Sequence, residues 1–130
     1  MAWRAELYPP RLDEGAVLAL AEALTAIDRR YLAEHPGTPE LYRSGVRYRA
    51  EPAGQEKWLS TPWVLQAGAG DCEDLACWRA AELQRAGEAA RPIVRSRRVG
   101  DNAMLYHVLV RRASGAIEDP SARLGMTSAA

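Results

Sequence analysis

Cys72 and His107 are the residues best suited to nucleophilic chemistry in this 130-residue chain, which holds two cysteines and two histidines in all. Cys72 lies in Gly68-Ala69-Gly70-Asp71-Cys72-Glu73-Asp74-Leu75-Ala76, where glycines that let another chain approach give way to a helical pattern. A thiol in the first turn of a helix meets unpaired amide donors and the positive end of the dipole. Such settings lower a cysteine pKa from about 8.5 into the range of about 3.5 to 7.5. Asp71, Glu73 and Asp74 act in the opposite sense, since neighbouring negative charge disfavours a thiolate. The thiol therefore needs a cationic partner.

His107 supplies one. It sits within Met104-Leu105-Tyr106-His107-Val108-Leu109-Val110, an apolar strand pattern where a histidine is out of place. The next turn is Ala113-Ser114-Gly115. If it is a three-residue loop with Gly115 left-handed, Arg112 faces Ala116 and Leu109 faces Asp119. His107 and Asp119 then share a sheet face as diagonal neighbours, roughly 7 to 8 Å apart at the backbone and within side-chain reach. A two-residue loop would shift the register by one and put them on opposite faces.

These three residues make a nucleophile, a base and an orienter. Cys72 attacks a carbonyl, His107 takes and returns the proton, and Asp119 fixes the imidazole tautomer and supports its charge. The Cys72 backbone amide is the obvious oxyanion donor. Trp63, Gly70 and Asp71 are the candidate cleft residues. Of the tryptophans near the site, Trp58 and Trp78 fit a core better, and only Trp63 is placed to approach it.

The elements that must position these groups follow from periodicity. Val17, Leu20, Leu24, Ile27 and Tyr31 recur at helical spacing, predicting an amphipathic helix from Asp13 to about Glu34, ended by Pro36-Gly37. Thr38 to Gln55 reads mostly as loop. Thr61-Pro62 predicts a short helix from Pro62 to about Ala67. Asp71 as N-cap with Asp74 three residues on predicts a capping box and a helix to Arg85, stopped at Gly87. Its stripe of Cys72, Ala76, Ala80 and Leu83 is small enough to lie close against a sheet. After Pro92 come three antiparallel strands: Ile93 to Val99, Met104 to Val110 and Ala116 to Asp119. The expectation is one α+β domain over residues 1–130, with helix and loop over 1–57 and the chemistry within 58–120.

Composition excludes several function classes. The net charge is zero and no apolar run approaches the roughly 18 residues of a membrane span, so neither nucleic acid nor membrane is expected as a partner. The N-terminal ten residues lack the basic-then-apolar pattern of a signal peptide, which reads as cytoplasmic. Six arginines against one acid between Arg91 and Arg112 give a local +5, read as a solvated strand face because few aromatics interleave. Cys72 and Cys77, about 500° apart on one helix, diverge too far for a disulfide and stay free thiols. That divergence, with no Cys-x-x-Cys pair, also disfavours zinc held by Cys72, Cys77, His107 and Asp119, and no cofactor or metal is expected. Cys77 reads as core, and His35 as a helix-end residue at the negative end of the dipole.

A Gly-Asp-Cys-x-Asp-x-Ala segment, a histidine in a strand and Asp-Pro closing the next strand resemble the transglutaminase-like superfamily, in its short bacterial and phage form. The likeness spans Trp58 to about Pro120. It implies a papain-like core, with the cysteine helix packed on a sheet that carries the other two residues, and Cys72, His107 and Asp119 in the triad positions. By the same analogy, Gln66 is a candidate for the second oxyanion donor. The resemblance implies acyl transfer on amides of a protein or peptide, with water or an amine as acceptor. The chain lacks the extra domains and calcium-binding regions of the large animal enzymes. The alternative is a non-catalytic binding or assembly module that keeps the fold.

Overall fold

The structure, a computed structural model, describes residues 13–52, 57–99, 101 and 103–127. Helix α1 spans Glu14–Glu34 and is capped by Asp13, whose carboxylate accepts the Ala16 amide at 2.7 Å. A 3-10 turn at Leu41–Arg43 precedes the two-residue strand β1, Arg47–Tyr48. Helix α2 spans Thr61–Ala67, strand β2 Ala69–Gly70 and helix α3 Cys72–Arg85. Strands β3 (Arg91–Val99), β4 (Ala103–Arg111) and β5 (Ile117–Glu118) form an antiparallel sheet in that order, and helix α4 covers Pro120–Arg123. The architecture is α+β, and among the described residues no helix is long and apolar enough to cross a membrane.

Helix α3 is the centre. Ten of its fourteen residues are buried, because it carries apolar side chains on two faces and packs on both. One face, with Cys72, Ala76, Cys77, Ala80 and Leu83, meets Val17, Ala21 and Leu24 of α1 and Val108 and Val110 of β4. The small side chains of this face allow the close approach that tight packing requires. The other face, with Leu75, Trp78 and Ala81, joins Leu32, Leu41, Val46, Val64 and Leu124.

Two departures from expectation bear on the site. The region taken as loop contributes β1, which pairs in parallel with β2 in the register Arg47↔Ala69 and Tyr48↔Gly70. Two residues are too few to show a period of two, so the pairing leaves no pattern in the sequence. The short helix begins at Thr61, with Ser60 as N-cap, rather than being capped by Thr61. Its first amide is taken instead by a buried residue of α1, for Thr61 N–H donates to Asp28 Oδ1 at 2.7 Å.

The sheet closes as a three-residue turn demands. Arg112 N–H donates to the Ala116 carbonyl at 2.8 Å, Gly115 is left-handed at φ +91°, and Arg111 pairs with Ile117 and Val110 with Glu118. Glu118 holds this short strand down. It accepts from Arg79 Nε at 2.6 Å, from Arg112 at 2.9 Å and from the Tyr42 hydroxyl, tying β5 to α3 and to the 3-10 turn. Asp119, next along the chain, is thereby carried to the opposite face of the sheet.

Candidate active site

The site is assembled where the head of α3 meets β4. Strand β2 runs straight into this helix through Gly70, which is buried against it. A Cβ there would stand 3.0 Å from Asp74 Cβ, 3.2 Å from Leu75 Cδ2 and 3.3 Å from Val64 Cγ1, so any other residue would push its neighbours back by a few tenths of an ångström. Asp71 and Asp74 then form the expected capping box. Asp71 N–H donates to Asp74 Oδ2 at 3.1 Å, while Asp71 Oδ1 accepts the Cys72 amide at 2.7 Å. The two acids also fasten the preceding segment, since Leu59 N–H donates to Asp74 Oδ1 at 2.7 Å and Glu51 N–H to Asp71 Oδ2 at 3.1 Å.

His107 and Asp119 meet. The imidazole Nε2 and Asp119 Oδ2 are 2.9 Å apart, with both side chains about one-third exposed. The second Asp119 oxygen accepts the Ala122 amide at 3.2 Å as N-cap of α4. One carboxylate thus orients the imidazole and anchors the helix that follows. With Nε2 engaged, Nδ1 is the ring nitrogen left to receive a proton.

Cys72 is buried, with 8% of its surface exposed, and packs with Val108, the residue after His107. Its thiol donates to Glu73 Oε2 at 3.4 Å, and no hydrogen bond joins it to the imidazole. Burial raises the thiol pKa well above its ordinary value, the negative charges of Glu73 and Asp71 add to this, and the backbone amide of Val108 beside the sulfur opposes it. The helix dipole is therefore outweighed, and the resting group is a thiol. Glu73 is itself buried and pushed up to about 8, first by burial and then by the charge of Asp71. From the sequence, Glu73 is only a nearby negative charge. Its burial against the thiol depends on how α3 docks, which no local pattern encodes.

The remaining sequence candidates separate. The Cys72 amide already donates to Asp71, so it reaches an oxyanion only by exchanging that bond. Gln66 is exposed on α2, and no described residue hydrogen-bonds its side chain. Trp63 is half-buried on the same helix. Cys77 is fully buried and donates to the Ala21 carbonyl at 3.3 Å, a core role, and both cysteines are free. His35 caps α1, with Nδ1 at 2.9 Å from the Tyr31 carbonyl and its ring stacked on Tyr31. Two surface recesses, one edged by Pro39, Arg79 and Glu82 and one by Thr25, Arg29 and Gln84, include none of Cys72, His107 and Asp119.

Carboxylates of Glu51, Glu73 and Asp74 come within 4.8 Å of one another. Both oxygens of Asp74 are spent on backbone amides, as are those of neighbouring Asp71. This chemistry suits a helix cap that binds a loop better than a cation cage, which needs carboxylate oxygens free to coordinate.

No family model, curated protein or solved structure matches the chain.

Proposed function

We propose that the chain is a cysteine-dependent acyl-transfer enzyme acting on amide bonds of protein or peptide substrates through a thioester, on a transglutaminase-like, papain-related core. The observation that carries this reading is the 2.9 Å contact between His107 Nε2 and Asp119 Oδ2, one residue along β4 from the valine against which Cys72 packs. A half-buried histidine–aspartate pair that leaves Nδ1 open is the base-and-orienter half of a thiol triad, and the thiol at the start of α3 packs on the next residue of the same strand.

In the proposed reaction the thiol leaves Glu73 and gives its proton to His107 Nδ1. The sulfur attacks the amide carbonyl carbon, the C–N bond breaks, and the imidazolium returns the proton to the departing amine or ammonia. Water or a second amine then attacks the thioester, with His107 removing its proton, and Cys72 is released. Asp119 holds the ring and supports its charge throughout.

The test is incubation with a glutamine-bearing peptide and a labelled amine. Incorporation of label means transamidation, peptide cleavage means peptidase action, and ammonia without label means deamidation. Each must vanish in Cys72→Ala. If no such product forms with the native chain across a broad peptide set, the proposal fails.

A second reading, a non-catalytic binding or assembly module, is favoured by one observation: the thiol is buried and given to Glu73 rather than to His107. Under this reading Cys72→Ala leaves the biological activity intact.

A further inference from the structure

We propose that the outer face of the β3–β4–β5 sheet, which carries His107, binds an acidic, partly apolar polypeptide segment. The inference deepens the acyl-transfer reading by naming a substrate class, and it rests on that reading only for its purpose.

Side-chain alternation assigns the faces. Val108 and Val110 point inward to the core, so Leu105, His107, Leu109 and Arg111 lie on the other side of β4, where Leu109 is covered and the others are not buried. Register then places Arg91 opposite Arg111, Arg95 opposite His107, Arg97 opposite Leu105, and Ile117 opposite Arg111. All four arginines are exposed, and Leu105 and Ile117 are 52% and 42% exposed. Of the described acids near the sheet, Asp101 lies exposed in the turn between β3 and β4. Glu118 is on the inner side, bonded to Arg79 and Arg112, and Asp119 is bonded to His107. Among the described residues, no carboxylate forms an ion pair with Arg91, Arg95, Arg97 or Arg111.

Charge is thus segregated in a chain whose net charge is zero. Arg91 directly opposite Arg111 is a like-charge pair, which destabilises a sheet unless an anion comes between. From Arg91 to Arg97 the strand covers about 20 Å at ~3.3 Å per residue, the length of roughly six extended residues. A peptide of matching length can set carboxylates on the arginines and apolar side chains on Leu105 and Ile117. Such a segment crosses the face that carries His107, with Arg95 directly opposite it. Single-stranded nucleic acid fits less well. The described positions of this face carry no phenylalanine, tyrosine or tryptophan on which bases could stack.

The test uses the full chain as Cys72→Ala, so that binding is measured without turnover and failure of acyl transfer leaves the binding result unaffected. The probe is a fluorescent peptide alternating glutamate and leucine, with a lysine–leucine peptide and an oligouridylate as comparisons. The acidic peptide is expected to bind, to weaken about tenfold between low and physiological salt, and to lose about tenfold more in the Arg95→Ala, Arg97→Ala double variant. The exposed pair Arg29 and Arg85, changed to alanine as a control, leaves binding as it was. The proposal is overturned by an acidic peptide that does not bind, by equal binding of the basic peptide, or by insensitivity to the double variant. Tighter binding of the oligouridylate overturns it in favour of nucleic acid.

Discussion

Cys72 Sγ donates to Glu73 Oε2 across 3.4 Å, so the thiol and the carboxyl of the next residue are held together inside the protein. The contact couples two titrations. While Glu73 is protonated it adds no charge beside the sulfur. Once it ionises, near its value of about 8, it opposes formation of a thiolate. Glu73→Gln therefore leaves the alkylation rate of Cys72 nearly unchanged at pH 6 and raises it about tenfold at pH 9, one pKa unit being a factor of ten. Iodoacetamide kinetics followed by mass spectrometry measure this. Equal rates at pH 9 would show that Glu73 does not govern the thiol.

Asp119 serves two partners through different oxygens, which separates its roles. Asparagine keeps an oxygen for the Ala122 amide and remains a good N-cap, so Asp119→Asn should change stability by no more than about 1 kcal/mol. It loses the charge and the fixed tautomer, so kcat with the amide substrate should fall by about two to four orders of magnitude. Denaturant unfolding and steady-state rates on the same preparation check both halves. A loss of stability without a loss of rate would make the aspartate structural.

Asp28 is fully buried and its pKa is pushed up to about 8, chiefly by burial, with the Thr61 amide bond opposing the shift. A folded pKa above the unfolded one means the native state holds the proton more tightly. The stability from this group is full below pH 4 and is lost as pH rises from about 4 to about 8. Buried Glu73 is shifted the same way and acts in the same sense. Melting temperature should fall across this window. Asp28→Asn keeps the acceptor for Thr61 N–H, cannot ionise, and should flatten the profile and gain at least about 1 kcal/mol at pH 8. Scanning calorimetry from pH 5 to 8 is the check, and parallel profiles for both proteins would contradict it.

A Cβ at Gly70 would crowd Asp74, Leu75 and Val64 at 3.0 to 3.3 Å. Gly70→Ala should cost about 1 to 3 kcal/mol, because the nearest obstacles are the Cβ of a helical residue and packed core methyls rather than the tips of mobile chains. Urea unfolding measures the cost, and an unchanged midpoint would mean that the approach is looser than the geometry gives.

Much of this was legible in the sequence where a pattern repeats or a special residue is demanded. The span of α1, the Asp71–Asp74 capping box and the head of α3 at Cys72 follow from spacing and capping chemistry. The juxtaposition of His107 and Asp119 follows from a loop length and Gly115. Helix α4 is missing from the sequence expectation, in which Pro120 closes a strand. Asp119 as N-cap with proline at the first helical position was the available signal. The β1–β2 pair is too short to carry a period, and capping of Thr61 by Asp28 joins residues 33 apart. The capture of the thiol by Glu73 depends on burial, which spacing does not report.

The central claim is that His107 is the base for Cys72, and alkylation of Cys72 in His107→Ala tests it most directly, with fully buried Cys77 as the internal reference. The expected result is that Cys72 in the native chain reacts well ahead of Cys77, and that His107→Ala slows it about tenfold or more while melting near the native temperature. Equal reactivity of Cys72 with and without the imidazole, in two folded proteins, would contradict the claim and leave the histidine–aspartate pair a structural bond.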